Sequence, residues 1–137
     1  MTPTFIDTSF LIAFLLTDDT HHDRAVARQN KVKGTLLTTE YVLIEFADAM
    51  VAEHLRSKTS PVIQALKNDP AVRIAEASTG LMDRGLEMYT SRNDKRWSLT
   101  DCISFVVMRD FGAVDALTSD HHFEQAGFRA LLRHELD

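Results

Sequence analysis

Residues 4–16 read Thr4-Phe5-Ile6-Asp7-Thr8-Ser9-Phe10-Leu11-Ile12-Ala13-Phe14-Leu15-Leu16. Thr4 to Asp7 is a short apolar run ending in a carboxylate, which predicts a buried strand. Ser9 to Leu16 is a predicted short helix that follows at once. The same succession recurs. A predicted helix over 21–32 breaks at Gly34, and Thr35-Leu36-Leu37-Thr38 reads as a second strand. Thr38 or Thr39 then caps a helix with Glu40 in its first turn, predicted to run to about Arg56. Ser60-Pro61 predicts another helix start, and that helix ends before Asn68-Asp69-Pro70. Val72-Arg73-Ile74 alternates as a strand does. Ser78 or Thr79 opens a helix to about Ser91, and Ser98 opens one that stops at Gly112. Val114 to Thr118 and Phe128 to Leu132 are the last predicted strands. Strands separated by helices pair in parallel, so the expectation is a three-layer α/β/α domain around a short-stranded parallel central sheet.

The 137 residues suit one domain, taken as 1–137, with 45% hydrophobic residues and too few Gly and Pro (five and three) for a linker-rich chain. The net charge of -5 argues against a protein that holds nucleic acid mainly by a basic surface. It does not exclude nucleic acid as a substrate. The single cysteine, Cys102, excludes an internal disulfide framework and falls on an apolar helix stripe. The longest apolar run, Phe10 to Leu16, is far short of the ~20 residues of a membrane helix. Asp7 precedes it, no Lys or Arg does, and Thr17-Asp18-Asp19 follows where a leader peptide has small residues. The expectation is a cytoplasmic protein with no membrane segment.

In open parallel sheets, ligands sit beyond the carboxyl ends of the strands. Asp7 closes the first strand; its ordinary role there is an N-cap. Thr8 and Ser9 add hydroxyls that cap the helix or orient a carboxylate. Glu45 lies inside the stripe Val42, Phe46, Ala49, Met50, where an ionised side chain is costly unless paired or bound to a cation. Asp101 completes a capping box in Ser98-Leu99-Thr100-Asp101, at a helix start beside a sheet end. Asp120 follows the strand Val114–Thr118, as a cap or a loop carboxylate. Convergence of these groups on one sheet edge would raise their pKa values by mutual repulsion, and a divalent cation removes the conflict. Oxygen ligands point to Mg²⁺ or Mn²⁺, which suit phosphodiester hydrolysis.

The segment Phe5-Ile6-Asp7-Thr8-Ser9 resembles the opening of a PIN-domain nuclease. Thr38-Thr39-Glu40-Tyr41-Val42-Leu43-Ile44-Glu45 resembles the second motif of that family. Trp97-Ser98-Leu99-Thr100-Asp101-Cys102 resembles the third. Ala116-Leu117-Thr118-Ser119-Asp120-His121-His122-Phe123-Glu124-Gln125-Ala126-Gly127-Phe128 is similar to the fourth. The compact length resembles VapC-type toxins of bacterial toxin–antitoxin pairs. The resemblance implies a metal-dependent endoribonuclease toxin that cuts cellular RNA. It makes Asp7, Glu45 and Asp101 metal-binding carboxylates, and Asp120 a fourth acidic position that binds a second metal or acts through water. Ser9 matches a supporting hydroxyl, and Thr118 is assigned the same part. It also implies a cognate antitoxin and, in many relatives, a homodimer.

Arg92, Lys95 and Arg96 precede the Asp101 helix, where they would meet RNA phosphates. His21-His22 and His121-His122 lack the i, i+4 spacing of a helical zinc site, so surface or cap roles are expected, with His122 near enough to Asp120 to touch substrate. Met50, Met82 and Met88 are expected in the core, and Trp97 at the entrance to the Ser98 helix. Two other classes share this pattern. A phosphoacceptor receiver module would want paired acids after the first strand and a Lys after a late one; Thr8-Ser9 and Thr118-Ser119-Asp120 supply neither. A non-catalytic interaction domain of the same fold would be expected to have lost acidic positions, and all four are filled.

Overall fold

The computed structural model describes residues 2–135. Five parallel strands are ordered β3-β2-β1-β4-β5. They are β1 (Thr4–Ile6), β2 (Leu36–Thr39), β3 (Val72–Ala75), β4 (Asp115–Leu117) and β5 (Arg129–Ala130). Seven helices connect them: α1 (Thr8–Leu15), α2 (His22–Lys31), α3 (Glu40–Ala49), α4 (Glu53–Asn68), α5 (Thr79–Ser91), α6 (Leu99–Asp110) and α7 (His121–Gln125). A 3-10 turn, Leu131–Arg133, follows β5.

Alternation along each strand sorts the layers. Ile6, Leu36, Val72 and Leu117 share one face of the sheet with Phe10 and Phe14 of α1, Val32 just past α2, and Val62 and Leu66 of α4. Phe5 points the other way and meets Phe123 of α7 with ring centroids 6.1 Å apart. Phe123 in turn sits edge-on to Phe105 of α6 at 4.9 Å, and Trp97 closes the stack against Phe105 at 5.1 Å. Helix α5 lies outside α6, drawn close at Gly85, where a Cβ would collide with the Ile103 side chain. The expected three-layer α/β/α arrangement is therefore present, with its sheet buried on both sides.

Local signals resolve as hydrogen bonds. Thr39, not Thr38, caps α3, its Oγ1 accepting from the Val42 amide at 3.0 Å. Thr38 instead donates to the Ile6 carbonyl at 2.8 Å and ties β2 to β1. Ser78 caps α5 through the Leu81 amide. Gly112 ends α6 with φ 69, in the left-handed region.

One helix, α7, stands between the last two strands where none was expected, and three boundaries differ from expectation. Helix α3 stops at Ala49 rather than near Arg56, because Met50 leaves helical geometry (φ -111, ψ 37) and turns into the core. The next helix begins at Glu53 and passes through Pro61 instead of starting there. Leu55, Val62, Ile63 and Leu66 lie at helical spacing and pack on the core, and that burial outweighs the one backbone bond Pro removes. The last strand is only Arg129–Ala130, since Leu131 and Leu132 reach the core from the 3-10 turn. Met50 and Cys102 are buried as expected, whereas Met82 is exposed on α5.

Candidate active site

The carboxyl ends of β1 and β4 lie side by side, with Ile6 opposite Leu117. Asp7 and Thr118 therefore emerge together from the sheet. Asp7 occupies the N-cap position of α1, yet its carboxylate makes no capping bond. Thr118 donates to Asp7 Oδ2 at 2.7 Å, and Ser9 donates to the same oxygen at 3.0 Å. The two hydroxyls are themselves 3.0 Å apart. The Ser119 amide holds Ser9 Oγ, and the Asp120 amide holds Thr118 Oγ1, each at 3.0 Å. Both hydroxyls expected to support the site are thus braced from the β4 loop.

Glu45 arrives from α3. It lies at the edge of the buried stripe, half-exposed, and no arginine pairs with it among the described residues; Ala49 is exposed rather than in the stripe. Its partner is Thr8, whose hydroxyl donates to Glu45 Oε1 at 2.5 Å. Asp101 arrives from α6 with a double duty. Its Oδ2 accepts from the Ser98 amide at 3.1 Å while Ser98 Oγ accepts from its own amide, the full capping box. Asp120 also caps, accepting from the His122 amide at 2.9 Å. The expected capping roles of Asp101 and Asp120 hold, and the same geometry presents both to an open pocket of about 370 Å³. Asp7, Ser9, Glu45, Asp101, Asp120, His122 and Arg96 all line it.

The electrostatics follow from burial. Asp7 is 5% exposed and Asp101 8%. Burial pushes Asp7 up to about 7, and the Asp101 charge adds to the rise while the Thr118 and Ser9 hydroxyls restrain it. Burial also raises Asp101; Asp120 and Glu45 add to this, against the Ser98 amide and His122. No lysine or arginine forms an ion pair with these four carboxylates among the described residues.

His122 is the residue whose place the sequence hid. Its Nδ1 is buried, 3.3 Å from Asp101 Oδ2 and 3.1 Å from Asp120 Oδ1, with no aligned hydrogen bond. Its only signal was adjacency to Asp120. The capping turn of α7 is what swings the ring back toward α6. Together Asp120, His121 and His122 hold ligand atoms within 4.8 Å of one another. His21 and His22 are elsewhere, at the start of α2, where His22 meets the Ala13 carbonyl. Of the three basic residues expected at the site, Arg96 lines the pocket. Arg92 turns away, bridging to Asp94 and lying 5.0 Å over the Trp97 ring. Lys95 is half-buried in the loop and does not line the pocket.

Residues 4–129 match the family described as PIN domain. The chain is 26% identical over 124 residues to the 23S rRNA-specific endonuclease VapC20 of Mycobacterium tuberculosis (strain CDC 1551 / Oshkosh), covering 90% of this chain and 94% of that protein. The same values hold for VapC20 of strain ATCC 25618 / H37Rv. A crystal structure of Mycobacterium tuberculosis VapC20, described as a sarcin-ricin loop cleaving toxin, superposes with a TM-score of 0.83 at 25% identity, over 91% of this chain and 95% of that one. The short parallel sheet and the acidic edge above it fall within one continuous match, and the chain belongs to the PIN domain family.

Proposed function

We propose that this chain is a divalent-metal-dependent endoribonuclease, a single nuclease domain over 1–137, that acts as the toxin of a toxin–antitoxin pair. The observation that carries the reading is the convergence of Asp7, Glu45, Asp101 and Asp120 on one open pocket, where no lysine or arginine among the described residues forms an ion pair with them. Two of these carboxylates are buried, and burial alone makes their charged forms costly. An oxygen-rich donor set of this kind fits Mg²⁺ or Mn²⁺. Asp7, Glu45, Asp101 and Asp120 would hold the ion. When bound, it supplies an activated water and neutralises charge on a phosphodiester.

The remaining groups prepare the site. Thr118 and Ser9 fix Asp7 Oδ2, and Thr8 fixes Glu45 Oε1, so the carboxylates are oriented before any ligand arrives. Arg96 at the pocket wall is placed to meet a phosphate oxygen. The matched relative is named for 23S rRNA cleavage, which makes ribosomal RNA the first substrate to try. A cognate antitoxin, a homodimer and a cytoplasmic location belong to the same reading. No helix among the described residues is long and apolar enough to cross a membrane.

The test is cleavage of ribosomal and total RNA by the purified full chain. Cutting is expected with Mg²⁺ or Mn²⁺, is lost in EDTA, returns on metal add-back, and is absent in Asp7→Asn. Cleavage indifferent to EDTA, or an active Asp7→Asn, sinks the reading. Relief of growth arrest by the product of an adjacent small reading frame would test the antitoxin.

A further inference from the structure

Next to the acidic pocket, between α5 and α6, lies a second cleft of about 380 Å³ lined by Arg84, Arg92 and Arg109 above Trp97 and Val106. We propose that this cleft is a second RNA subsite, in which Arg109, flanked by Arg84 and Arg92, binds backbone phosphates of the strand whose scissile bond lies at the acidic centre. The proposal rests on the RNA-cutting reading and adds to it the path of the substrate.

The acidic pocket, lined by four carboxylates and one arginine, Arg96, supplies little affinity of its own for a polyanion. The chain carries a net charge of -5, with four carboxylates at the centre. Binding must come from cationic side chains near by, through displaced counterions. Most other arginines are committed. Arg24 and Arg28 bind carbonyls of the 131–135 segment. Arg73 lies over Phe111, and Arg133 pairs with Glu124.

The cleft differs. The Arg109 side chain makes no hydrogen bond, ion pair or ring contact with any described residue. Its two neighbours are held in place. Arg84 grips Asp110 through two bonds of 2.7 and 2.8 Å. Arg92 grips Asp94 at 3.0 and 3.2 Å and stacks on Trp97. Held guanidinium planes lose little freedom on binding and keep further N–H donors for phosphate oxygens. Glu87 is the single carboxylate lining the cleft.

The connection to the acidic centre is short and covalent. Arg92 and Trp97 line the cleft, Arg96 and Ser98 line the acidic pocket, and Ser98 caps Asp101. One segment, 92–98, thus borders both sites. A strand with one phosphate over Asp101 and the next along this segment runs toward Arg109.

Arg109 also stands in the last turn of α6, where a cation favours the helix dipole. A purely structural role would therefore show in the melting temperature and not in RNA affinity. The experiment uses the full chain and a fluorescein-labelled single-stranded RNA oligonucleotide, with anisotropy in EDTA for binding and a parallel cleavage assay in Mn²⁺. Arg109→Ala should weaken binding about three- to tenfold and Arg109→Glu more, with the slope of log affinity against log salt falling by about 0.7 per lost contact. Arg109→Lys should recover most of the loss, and melting temperatures should stay together. In cleavage the change should fall mainly on KM. If Arg109→Glu keeps the affinity and salt slope of a parent protein that binds and cuts RNA, the subsite is wrong and the nuclease reading stands. If the parent neither binds nor cuts RNA, both fall.

Discussion

Thr118 Oγ1 donates to Asp7 Oδ2 across 2.7 Å and accepts from the Asp120 amide at 3.0 Å, so one fully buried hydroxyl joins the ends of β1 and β4 to the loop that carries the fourth acid. Thr118→Val keeps the shape and removes both bonds. The orphaned amide should cost about 1–3 kcal/mol. Asp7, deprived of its strongest restraint, should bind protons more tightly and metal more weakly. Urea unfolding and an isothermal Mn²⁺ titration check the two effects, and Thr118→Ser should restore both. A Thr118→Val protein with parental metal affinity would show that the hydroxyl serves the fold alone.

Asp7 makes the metal-free protein pH-sensitive. Its pKa rises from 3.8 to about 7 on folding, so the native state holds the proton more tightly than the unfolded chain. Its contribution to stability is complete below the unfolded value and is lost as pH rises through about 7. Asp101 shifts in the same direction. In EDTA, melting temperature should therefore fall between pH 5 and 8. Asp7→Asn should flatten that fall and, at pH 8, melt above the parent by an amount on the order of a few kcal/mol in stability. It should also lose RNA cleavage by roughly a hundredfold or more, since the group that destabilises the fold is one that serves the reaction. Parallel pH profiles for parent and variant would refute this.

After the Ser98 amide, His122 is the second group that opposes the rise in the Asp101 pKa. Its ring restrains the rise in the Asp101 pKa that burial, Asp120 and Glu45 produce. His122→Ala should raise that pKa further, and protons compete with metal for the same carboxylate. The pH at which Mn²⁺ binding is half-complete should move upward. Binding curves that superimpose over pH 5–8 would leave the imidazole without an electrostatic part.

Gly85 sets the distance between α5 and α6. An added Cβ meets the Ile103 side chain, which is itself buried. Gly85→Ala should destabilise by about 1–3 kcal/mol despite Ala's better helix propensity. Chemical denaturation reads this as a lower midpoint at unchanged slope. The arginine cleft between the two helices should then weaken for RNA as well.

Much of the site was legible because Asp7 and Asp120 sit where a strand gives way to a helix and Asp101 stands in the first turn of α6. Asp7, Asp101 and Asp120 follow local signals: a strand end, a capping box and a turn. Glu45 stood out as a charge within an apolar stripe. Those signals could not choose between capping and chemistry. The Asp7 carboxylate makes no capping bond, whereas Asp101 and Asp120 both cap and line the pocket. Pro61 misled because its local preference for a helix start is weaker than the burial of Leu55, Val62, Ile63 and Leu66 on either side of it.

The sequence by itself determined the order of strands and helices as far as β4, the parallel layering and the acidic edge, because hydrophobic period, caps and breakers are local properties; the five-residue α7 is too short to show a period. Only the tertiary structure decided what lies near what across the chain. Pairing of β1 with β4 brought Thr118 to Asp7 from 111 positions away. The turn into α7 set His122 between two carboxylates, and Arg92 lies over Trp97 and against Asp94, outside the acidic pocket. Such contacts depend on how packed layers align, and no short stretch of sequence carries that information.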